Sequence, residues 1–522
     1  MKNSIKKILT GALVLVMALT LFSCGGDGGS SSGDSSQITI GVTSFADTLE
    51  PTEQYFSWVV SRYGVGENLV KFDENGELVP CLAESWEPSE DQKSWIFKIR
   101  EGVKFSNGDE LTPELVKASI ERVYELSDRA ESFFKPESIE VDGQNLIITT
   151  SEPIASVPGS LADPLFLIVD TSEGVDQDAF AQNGPICTGP YVVESFSPTE
   201  SCVVVRNENY WDGEVPFDKV TLKVIDDQTT RSMALQNGEI DIAINLKTEN
   251  VKEFEGNDNI QIQELESLRS TYAFMNQNGA LGDLALRQAL LRALDRETYC
   301  ETLLDGGATA GKAPVPPTLD FGFDELNDEN ATDPEGAKQL LADAGYKDID
   351  GDGFVETPSG EKLELNFVIY TSREELNVYA QAAQSSCKDV GINLKLNTVS
   401  YETLLDMRDS GDYDLLIWNV LVANTGDPEN YLRENWYSTS PNNTSGYSNK
   451  TVDAKLDELA KTFDEDARRD LIIDIQQEIM DDAATVFFGY ETTYLFSNKR
   501  LTGVTMFPMD YYWLTKDIKL AE

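Results

Sequence analysis

The stretch of this chain that is apolar enough to enter a membrane stands at its amino terminus. Residues 8–22 are almost entirely apolar and follow lysines at positions 2, 6 and 7. A basic start, a short apolar run and small residues at its end predict a secretory signal that is cleaved, because a retained membrane-spanning helix needs about 20 apolar residues. The rest of the chain is therefore expected to fold outside the cytoplasm.

The end of this signal resembles a bacterial lipobox. Leu21, Phe22 and Ser23 precede Cys24, and a Gly/Ser-rich tract continues to residue 36. The resemblance implies that residues 1–23 are a cleaved signal peptide and that the Cys24 sulfur carries diacylglycerol. Residues 24–36 would then be a flexible linker to the membrane. The expected location is the outer face of the cytoplasmic membrane, or the periplasm if the cell has two membranes.

Length and charge limit the class of protein. Removal of residues 1–23 leaves 499 of 522 residues, which is more than one hydrophobic core usually serves, so we expect several domains. The chain has 91 acidic and 41 basic residues and a net charge of −50. Such a surface repels nucleic acid and anionic lipid, so neither is an expected partner apart from the lipid anchor, and the acidity is typical of a soluble exported protein.

The chain contains no histidine, which excludes imidazole acid–base catalysis and histidine metal ligands from the protein itself. Five cysteines remain after Cys24, scattered singly and odd in number, which predicts buried thiols and no disulfide framework. A secreted hydrolase that uses a carboxylate pair stays an alternative, although no local pattern marks such a pair. We predict a protein that is not an enzyme and has no catalytic residues.

Strand and helix patterns are mixed along the chain and predict an α/β fold with more than one lobe. Predicted strands cover residues 37–43, 95–100, 146–150, 203–206 and 220–225. Predicted helices cover residues 112–126, 283–304, 333–344, 374–390 and 451–484, the last with a break near Asp464. Thr112, Pro113 and Glu114 begin the first helix as a cap, a first-turn proline and a first-turn acid.

Residues 78–122 carry a set of motifs in a fixed order. They contain Leu-Ala-Glu-Ser-Trp at 82–86, Arg-Glu-Gly-Val-Lys-Phe at 100–105, a Gly turn at 108 and Leu-Thr-Pro-Glu at 111–114. Further motifs follow at 188–191, 206–211, 229–241, 286–296, 337–345, 414–418 and 447–453. This series resembles bacterial extracellular solute-binding protein family 5, which serves peptide and nickel importers, over nearly the whole mature chain.

The resemblance implies a fold of the periplasmic binding protein type II kind, in which two α/β lobes close over a cleft. It implies three domains: domain I from residues 37–62, 188–266 and 490–522, domain II from 63–187, and domain III from 267–489. The implied function is an extracytoplasmic substrate-binding lipoprotein, a monomer, which captures peptides or a similar small polar solute and delivers them to an ABC permease with a separate ATPase. No cofactor is required for this activity.

The resemblance also points to ligand-binding residues. In peptide-binding relatives, a loop after a strand ending in Trp carries an aspartate that pairs with the ligand ammonium; here Asn424 stands at that position, and Asp427 follows as a substitute or as part of a turn. Further candidate contacts lie in segments that face the family's cleft, each with burial in a core as the alternative. They are Trp58, Tyr63, Tyr272, Asn276, Trp418 and Tyr431.

Some segments are more similar to nickel-binding members, so uptake of a metal chelate is the second hypothesis, with Arg and Trp side chains holding an anionic chelate in place of histidine. A sensing or adhesion lipoprotein that has no permease is the third.

Residues 348–356 are similar to the first half of a calcium-binding loop. Asp348, Asp350 and Asp352 alternate before a glycine, and Glu356 would replace the glutamate that such a loop carries at its twelfth position. We expect either a structural calcium site or an acidic hairpin without metal.

Overall fold

The structure is a computed structural model that describes residues 36–43, 46–370 and 373–521. The predicted signal peptide, Cys24 and all but the last residue of the predicted linker lie outside the described residues. No helix in the described ranges is both long and apolar enough to cross a bilayer.

The described chain forms strands and helices that alternate along most of its length. The strands are β1 (Gln37–Val42), β2 (Val70–Phe72), β3 (Leu78–Pro80), β4 (Ala83–Pro88), β5 (Ser94–Ile99), β6 (Pro136–Asp142), β7 (Asn145–Thr150), β8 (Tyr191–Ser197), β9 (Ser201–Arg206), β10 (Lys219–Val224), β11 (Ile242–Leu246), β12 (Ile260–Met275), β13 (Ala308–Ala310), β14 (Leu365–Tyr370), β15 (Leu394–Val399), β16 (Leu415–Leu421), β17 (Thr485–Asn498), β18 (Leu501–Thr502) and β19 (Lys519–Leu520). The helices are α1 (Ser57–Arg62), α2 (Pro113–Leu126), α3 (Ala130–Phe133), α4 (Val157–Ser160), α5 (Phe180–Asn183), α6 (Gln228–Gln236), α7 (Thr248–Glu253), α8 (Leu284–Ala293), α9 (Arg296–Thr298), α10 (Pro334–Asp343), α11 (Glu374–Asp389), α12 (Tyr401–Ser410), α13 (Glu429–Trp436), α14 (Lys450–Leu459) and α15 (Glu465–Asp481).

An eleven-stranded sheet runs through the molecule in the order β15-β14-β16-β12-β17-β11-β1-β10-β9-β8, with β13 paired to β17. At one end β14 is parallel to β15 and β16, and at the other β1 is parallel to β10 and β11. The long strands β12 and β17 are antiparallel to each other and connect these two ends. A separate antiparallel sheet has the order β4-β5-β7-β6. The predicted α/β class is confirmed.

The pairing of β12 with β17 is interrupted in its middle. Residues 260–266 of β12 pair with residues 498–492 of β17, and the register shifts between Glu266 and Ser270 before pairing resumes opposite Tyr490. The two halves of β12 also differ in composition: the first alternates apolar and polar residues, and the second ends in an apolar run that is buried on both faces. The two halves of β12 therefore lie in different structural environments.

Buried side chains form three large clusters. The largest draws on residues 272–488. The second draws mainly on residues 58–168, and the third on residues 38–65 and 167–222 together with residues 495–518. The division into three domains with the boundaries given above stays a prediction.

Most predicted elements agree with the structure to within one or two residues. Helix α2 begins after Thr112, whose hydroxyl accepts a hydrogen bond from the Leu115 amide at 3.3 Å. The prediction of one helix over residues 283–304 is wrong. Leu294 is extended, and the Asp295 carboxylate accepts from the Thr298 amide, so a second helical segment starts there. The five cysteines of the described chain, Cys81, Cys187, Cys202, Cys300 and Cys387, are free and buried, as predicted.

Gly489 lies in β17 where Thr271 of β12 and Ala310 of β13 pair with it on either side. A Cβ atom at this position would overlap the Tyr379 hydroxyl and lie 3.0 Å from the Cys300 sulfur. We expect Gly489→Ala to lower the free energy of unfolding by about 1–3 kcal/mol, as overpacking does, measured by urea denaturation. Gly279→Ala is the control, because its Cβ would make an ordinary 3.6 Å contact with Asp414. Equal stability of the two variants would contradict this reading of Gly489.

Candidate functional site

Polar side chains gather where the register of β12 and β17 shifts. The Arg269 Nη1 donates a hydrogen bond to the Asn419 Oδ1 at 3.1 Å, and the Asn419 Nδ2 donates to the Glu491 Oε1 at 3.1 Å. The Thr271 hydroxyl also donates to the Glu491 Oε1. Residues 269 and 271 share one face of β12, so a single amide group connects a guanidinium to a carboxylate at this point.

Two further arginines contribute positive charge around Arg269. The Arg62 guanidinium forms an ion pair with Asp510 at 2.6 Å and lies over the Trp513 ring at 4.5 Å. The Arg373 Nη1 lies 3.3 Å from the Glu375 Oε1. Arg269 differs from both, because no carboxylate in the described chain lies within ion-pair distance of it. We call Arg62, Arg269 and Arg373 the arginine cluster.

Burial lowers the pKa of Arg269 to about 10, and the positive charges of Arg373 and Arg62 act in the same direction. The guanidinium still carries its charge at neutral pH. Asn419 offers this half-buried cation a neutral acceptor, but no carboxylate of the described chain compensates its charge at ion-pair distance. The arginine cluster is therefore suited to an anion that comes from outside the chain, and guanidinium groups match the geometry of a carboxylate.

Glu491 is the acidic member of this site. Burial raises its pKa to about 7, and the negative charge of Glu375 adds to the increase, while the Thr271 hydrogen bond and Arg373 oppose it. Its Oε1 accepts two hydrogen bonds, but its Oε2 is buried and has no partner among the described residues.

Aromatic rings lie on both sides of the polar network. Trp58, a predicted contact, packs edge-on against Tyr511 with ring centroids 5.3 Å apart, and its buried indole N–H has no partner among the described residues. Trp418, also predicted, is half-buried on the face of β16 opposite to Asn419, where the Tyr401 ring and the Arg408 guanidinium lie 6.1 and 5.2 Å from its centre.

The structure places four other predicted contacts away from this network. Tyr272 is fully buried and packs against Tyr431, which is also buried in the largest core. Tyr63 is buried beside Trp513 in the third core. Asn276 donates to the carbonyls of Gly411 and Tyr413 at the far end of β12, beside an open cavity of about 350 Å³. Their assignment as ligand contacts stays a prediction. The packing and hydrogen bonds described here are sufficient to explain these four side chains as structural.

Asn424 connects three separate stretches of the chain. Its Nδ2 lies 3.5 Å from the Asp163 Oδ2, and its carbonyl accepts a hydrogen bond from the Tyr511 hydroxyl at 3.1 Å. Burial raises the pKa of the Asp163 carboxyl. The side chain at this position thus binds another part of the protein in this conformation.

Asp427 forms a turn and an ion pair. Its Oδ1 accepts from the Glu429 amide at 2.8 Å at the start of α13, and its Oδ2 lies 2.8 Å from the Arg468 guanidinium. Of the two sequence hypotheses for Asp427, these contacts favour the turn over a ligand contact.

Segments on opposite sides of the site touch each other. The Ala155 amide donates to the Ala460 carbonyl at 3.1 Å, and the rings of Trp95 and Phe463 stack at 5.7 Å. Gly159 lies so close to the Thr425 carbonyl that a side chain there would overlap it. The structure therefore has the two halves in contact.

The acidic loop at 348–356 brings its carboxylates together as predicted. Ligand oxygens of Asp348, Asp350 and Asp352 lie within 4.8 Å of one another, and all three side chains are exposed. The Glu356 Oε2 instead accepts from the Ile349 amide at 2.6 Å. The Lys362 ammonium lies 2.8 Å from Asp350 and 3.0 Å from Asp352, so a cation of the chain itself competes for this site. Calcium binding stays a prediction.

Sequence reasoning missed the central residues of this site. Arg62, Arg373, Asn419 and Glu491 were not predicted as contacts. Glu491 had a local signal, because it is the acidic residue within the otherwise uncharged strand β17. Arg373 had no such local signal, because it comes near Glu491 only in the folded chain.

Two lobes that share a sheet, with charged side chains where its long strands cross, are the arrangement of a periplasmic binding protein fold. Residues 77–443 match the family model described as bacterial extracellular solute-binding proteins, family 5 middle. The chain is 28% identical over 489 residues to the probable D,D-dipeptide-binding periplasmic protein DdpA of Escherichia coli (strain K12), covering 90% of this chain and 92% of that one.

Solved structures agree with this assignment. The nickel ABC transporter protein from Bacillus halodurans superposes with a TM-score of 0.77 at 29% identity, covering 93% of this chain and 100% of that one. The protein NikA from Brucella suis in complex with Fe(III)-EDTA superposes with a TM-score of 0.81 at 24% identity over the same shares, a likeness of fold. The chain belongs to the bacterial extracellular solute-binding proteins of family 5, and its fold is the two-lobe, three-domain α/β fold predicted from the sequence.

We expect Asp427→Ala to destabilise the protein by about 2–4 kcal/mol, because it leaves the buried Arg468 with one carboxylate partner, Glu429. Urea denaturation measures this change. Asp457→Ala is the matched control, since its pair with Arg433 is exposed and is worth about 0.5 kcal/mol. Wild-type stability of the Asp427 variant, with loss of solute binding alone, would show that Asp427 contacts ligand.

Glu491 should make stability depend on pH. Its pKa is higher in the folded protein than in the unfolded chain, so the folded state holds its proton between pH 4.5 and 7 where the unfolded chain releases it. The contribution of Glu491 to stability is therefore complete below about pH 4.5 and is lost as the pH rises through 7. The free energy of unfolding of wild type relative to Glu491→Gln should fall by about 2–3 kcal/mol from pH 5 to pH 8. Parallel curves for the two proteins would contradict this.

We expect Lys362→Gln to bind calcium several-fold more tightly than wild type, because the variant removes the ammonium group that calcium has to displace. Isothermal titration calorimetry of both proteins measures this. The calcium prediction fails if neither protein shows binding heat and neither melting temperature shifts.

Proposed function

We propose that this chain is the extracytoplasmic, lipid-anchored substrate-binding component of an ABC importer. It captures a small carboxylate-bearing solute of the peptide class by closure of its two lobes and delivers it to a membrane permease that a separate ATPase drives. The observation that carries the choice of cargo is Arg269, a half-buried guanidinium with no carboxylate of the described chain in ion-pair distance. Membership of family 5 supports the transport role.

The charge distribution supports an anionic group on the solute. The chain as a whole has a net charge of −50, yet three guanidiniums lie together at the crossing of β12 and β17. Among the described residues, the arginine cluster supplies positive charge that a solute carboxylate would meet at this crossing. Electrostatics of this kind act over a few ångströms inside a protein, where solvent screens little.

The crossing strands supply the mechanism of closure. A register shift between Glu266 and Ser270 lies opposite Tyr490–Thr492, at the proposed boundaries between domain I (37–62, 188–266 and 490–522) and domain III (267–489). Domain II (63–187) would move with domain I. A solute that contacts both lobes only when they meet stabilises the closed form, which is a shift of population. Closure also brings Gly159 of domain II to Thr425 of domain III.

Lipid attachment at Cys24 would hold this receptor beside its permease on the outer face of the cytoplasmic membrane. No turnover belongs to the proposed role. A hydrolase acting through a carboxylate pair would be shown by turnover of peptide or glycan panels.

Uptake of a metal chelate is the second candidate. The same observation favours it, because the carboxylates of a chelate present the same groups to Arg269 and Arg373. Relatives of both kinds exist: the Escherichia coli protein is named for a dipeptide, and the Bacillus halodurans protein for nickel.

Native mass spectrometry of the soluble body, residues 25–522, tests the proposal. The protein is purified without denaturation and its bound molecules are released gently. A family of peptide masses supports the peptide class, whereas a single metal-chelate mass supports the second candidate. Absence of any carboxylate in the released molecules would overturn the role of the arginine cluster.

We expect Arg269→Ala to weaken binding of the released solute about 10- to 100-fold, the loss of one charge-assisted hydrogen bond worth about 1.5–3 kcal/mol. Calorimetry measures the affinity. Arg469→Ala, which removes a surface ion pair with Asp320 and Glu325, is the control and should bind as wild type does. Equal affinity of all three proteins would place the solute elsewhere.

A further inference from the structure

The Glu491 carboxylate uses only half of its hydrogen-bonding capacity within the described chain. Its Oε1 accepts from the Thr271 hydroxyl and from the Asn419 amide. Its Oε2 is buried and accepts no hydrogen bond from any residue that the structure describes. A buried carboxylate oxygen that loses its water without gaining a donor destabilises the folded protein.

The groups around Glu491 do not remove this deficit. Arg373 and Arg269 act on it electrostatically, but neither lies within ion-pair distance of it, and Arg373 is paired with Glu375. The other titratable groups that face it, Glu375, Tyr379 and Cys300, are negative when ionised and offer it no positive charge. Its surroundings thus hold a carboxylate in place and leave one oxygen for a donor from outside.

A comparison with Glu266 on the neighbouring strand shows that a place near the register shift does not by itself leave a carboxylate oxygen without a donor. Glu266 lies on β12 at the same crossing and is also an acid close to the register shift, but both of its oxygens are used, Oε2 by Thr309 at 2.6 Å and Oε1 by Thr318 at 2.8 Å. The two glutamates thus differ in the use of their oxygens, and Glu491 is the one that interacts electrostatically with Arg373 and Arg269.

We infer that Glu491 is a specificity-determining residue that accepts a hydrogen bond from an N–H donor of the solute, while Arg269 binds a carboxylate of the same solute. The inference rests on the proposed function and narrows its cargo. Because the Asn419 amide alone connects Arg269 to Glu491, the carboxylate and the N–H group are close together in the solute. The class that fits is an amino-acid head group, with an ammonium or a metal-bound amine next to a carboxylate.

This class excludes solutes that the arginine cluster alone would accept. A dicarboxylate without nitrogen, or a chelate whose amines carry no hydrogen, would leave the Glu491 Oε2 without a donor and would place two negative groups near each other. A peptide bound only by its carboxyl end would offer a backbone amide, which is a weaker donor than a charged one. The affinity for a solute should therefore depend on whether the solute nitrogen that faces Glu491 is positively charged.

The test uses residues 25–522, stripped of bound molecules, and three chemically related probes. They are an enzymatic casein digest of amino acids and short peptides, the same digest N-acetylated, and the same digest with its carboxyl groups methylated. Native mass spectrometry identifies the retained compounds, and calorimetry measures the affinity of the one retained most strongly. We expect retention from the untreated digest only.

Two variants separate recognition from structure. Glu491→Gln keeps an oxygen for Thr271 and Asn419 but loses the charge, and it should bind the retained compound about 10- to 100-fold more weakly. It should also discriminate less against the acetylated digest. Glu266→Gln is the matched control and should stay within about twofold of wild type, since its oxygens serve Thr309 and Thr318.

Each outcome decides a different claim. Equal retention from the untreated and acetylated digests would overturn the role of Glu491 and leave the proposed function standing. Retention from the methylated digest would overturn carboxylate recognition and the proposed cargo with it. If the wild type retains nothing from any digest, the solute is not of the amino-acid head-group class and the inference fails, while transport of another solute remains open to the co-purification experiment.

Discussion

The structure depends on two strands that belong to both of its halves. β12 and β17 connect the two ends of the large sheet, and their pairing is interrupted between Glu266 and Ser270, with a second register shift between Thr271 and Tyr272. Hydrogen bonds along the strands resist bending, whereas the interrupted segment between Glu266 and Ser270 has fewer of them to lose. If the halves move as proposed, the motion would be concentrated at the place where Arg269 and Glu491 lie.

The residues proposed to bind the solute therefore lie on the strands that are proposed to bend. A solute held between Arg269 and Glu491 contacts the strands that bend, and the Asn419 amide on β16 ties the two side chains together. The contact between the halves at Gly159 and Thr425 lies elsewhere. Closure without solute would remove water from the half-buried Arg269 guanidinium without supplying an anion, which is unfavourable. In the proposed mechanism, an anionic solute would offset this cost.

Local sequence was sufficient for most elements and for the family, but not for the site. The cap at Thr112, the first-turn proline and the apolar spacing predict α2 to within a residue, because these signals lie within one helix. The predicted helix over 283–304 failed because apolar spacing continues across Asp295, and only the carboxylate contact with Thr298 shows the restart. Tyr272 was predicted as a contact since its segment faces the family's cleft, yet alternation along a strand cannot tell which face a solute reaches. Glu491 and Arg373 are separated by more than a hundred residues, so their electrostatic contact arises from tertiary structure alone.

The five buried thiols have a consequence for how this body is made and handled. None of Cys81, Cys187, Cys202, Cys300 and Cys387 is cross-linked, and burial raises the pKa of each, to about 11 for Cys300 and about 12 for Cys202. Their sulfurs stay protonated and weakly nucleophilic at neutral pH. The described fold therefore contains no disulfide bond among these five residues. The rate at which an alkylating reagent modifies these thiols would therefore report the rate at which the native protein opens, because the reagent reaches them only in the opened state.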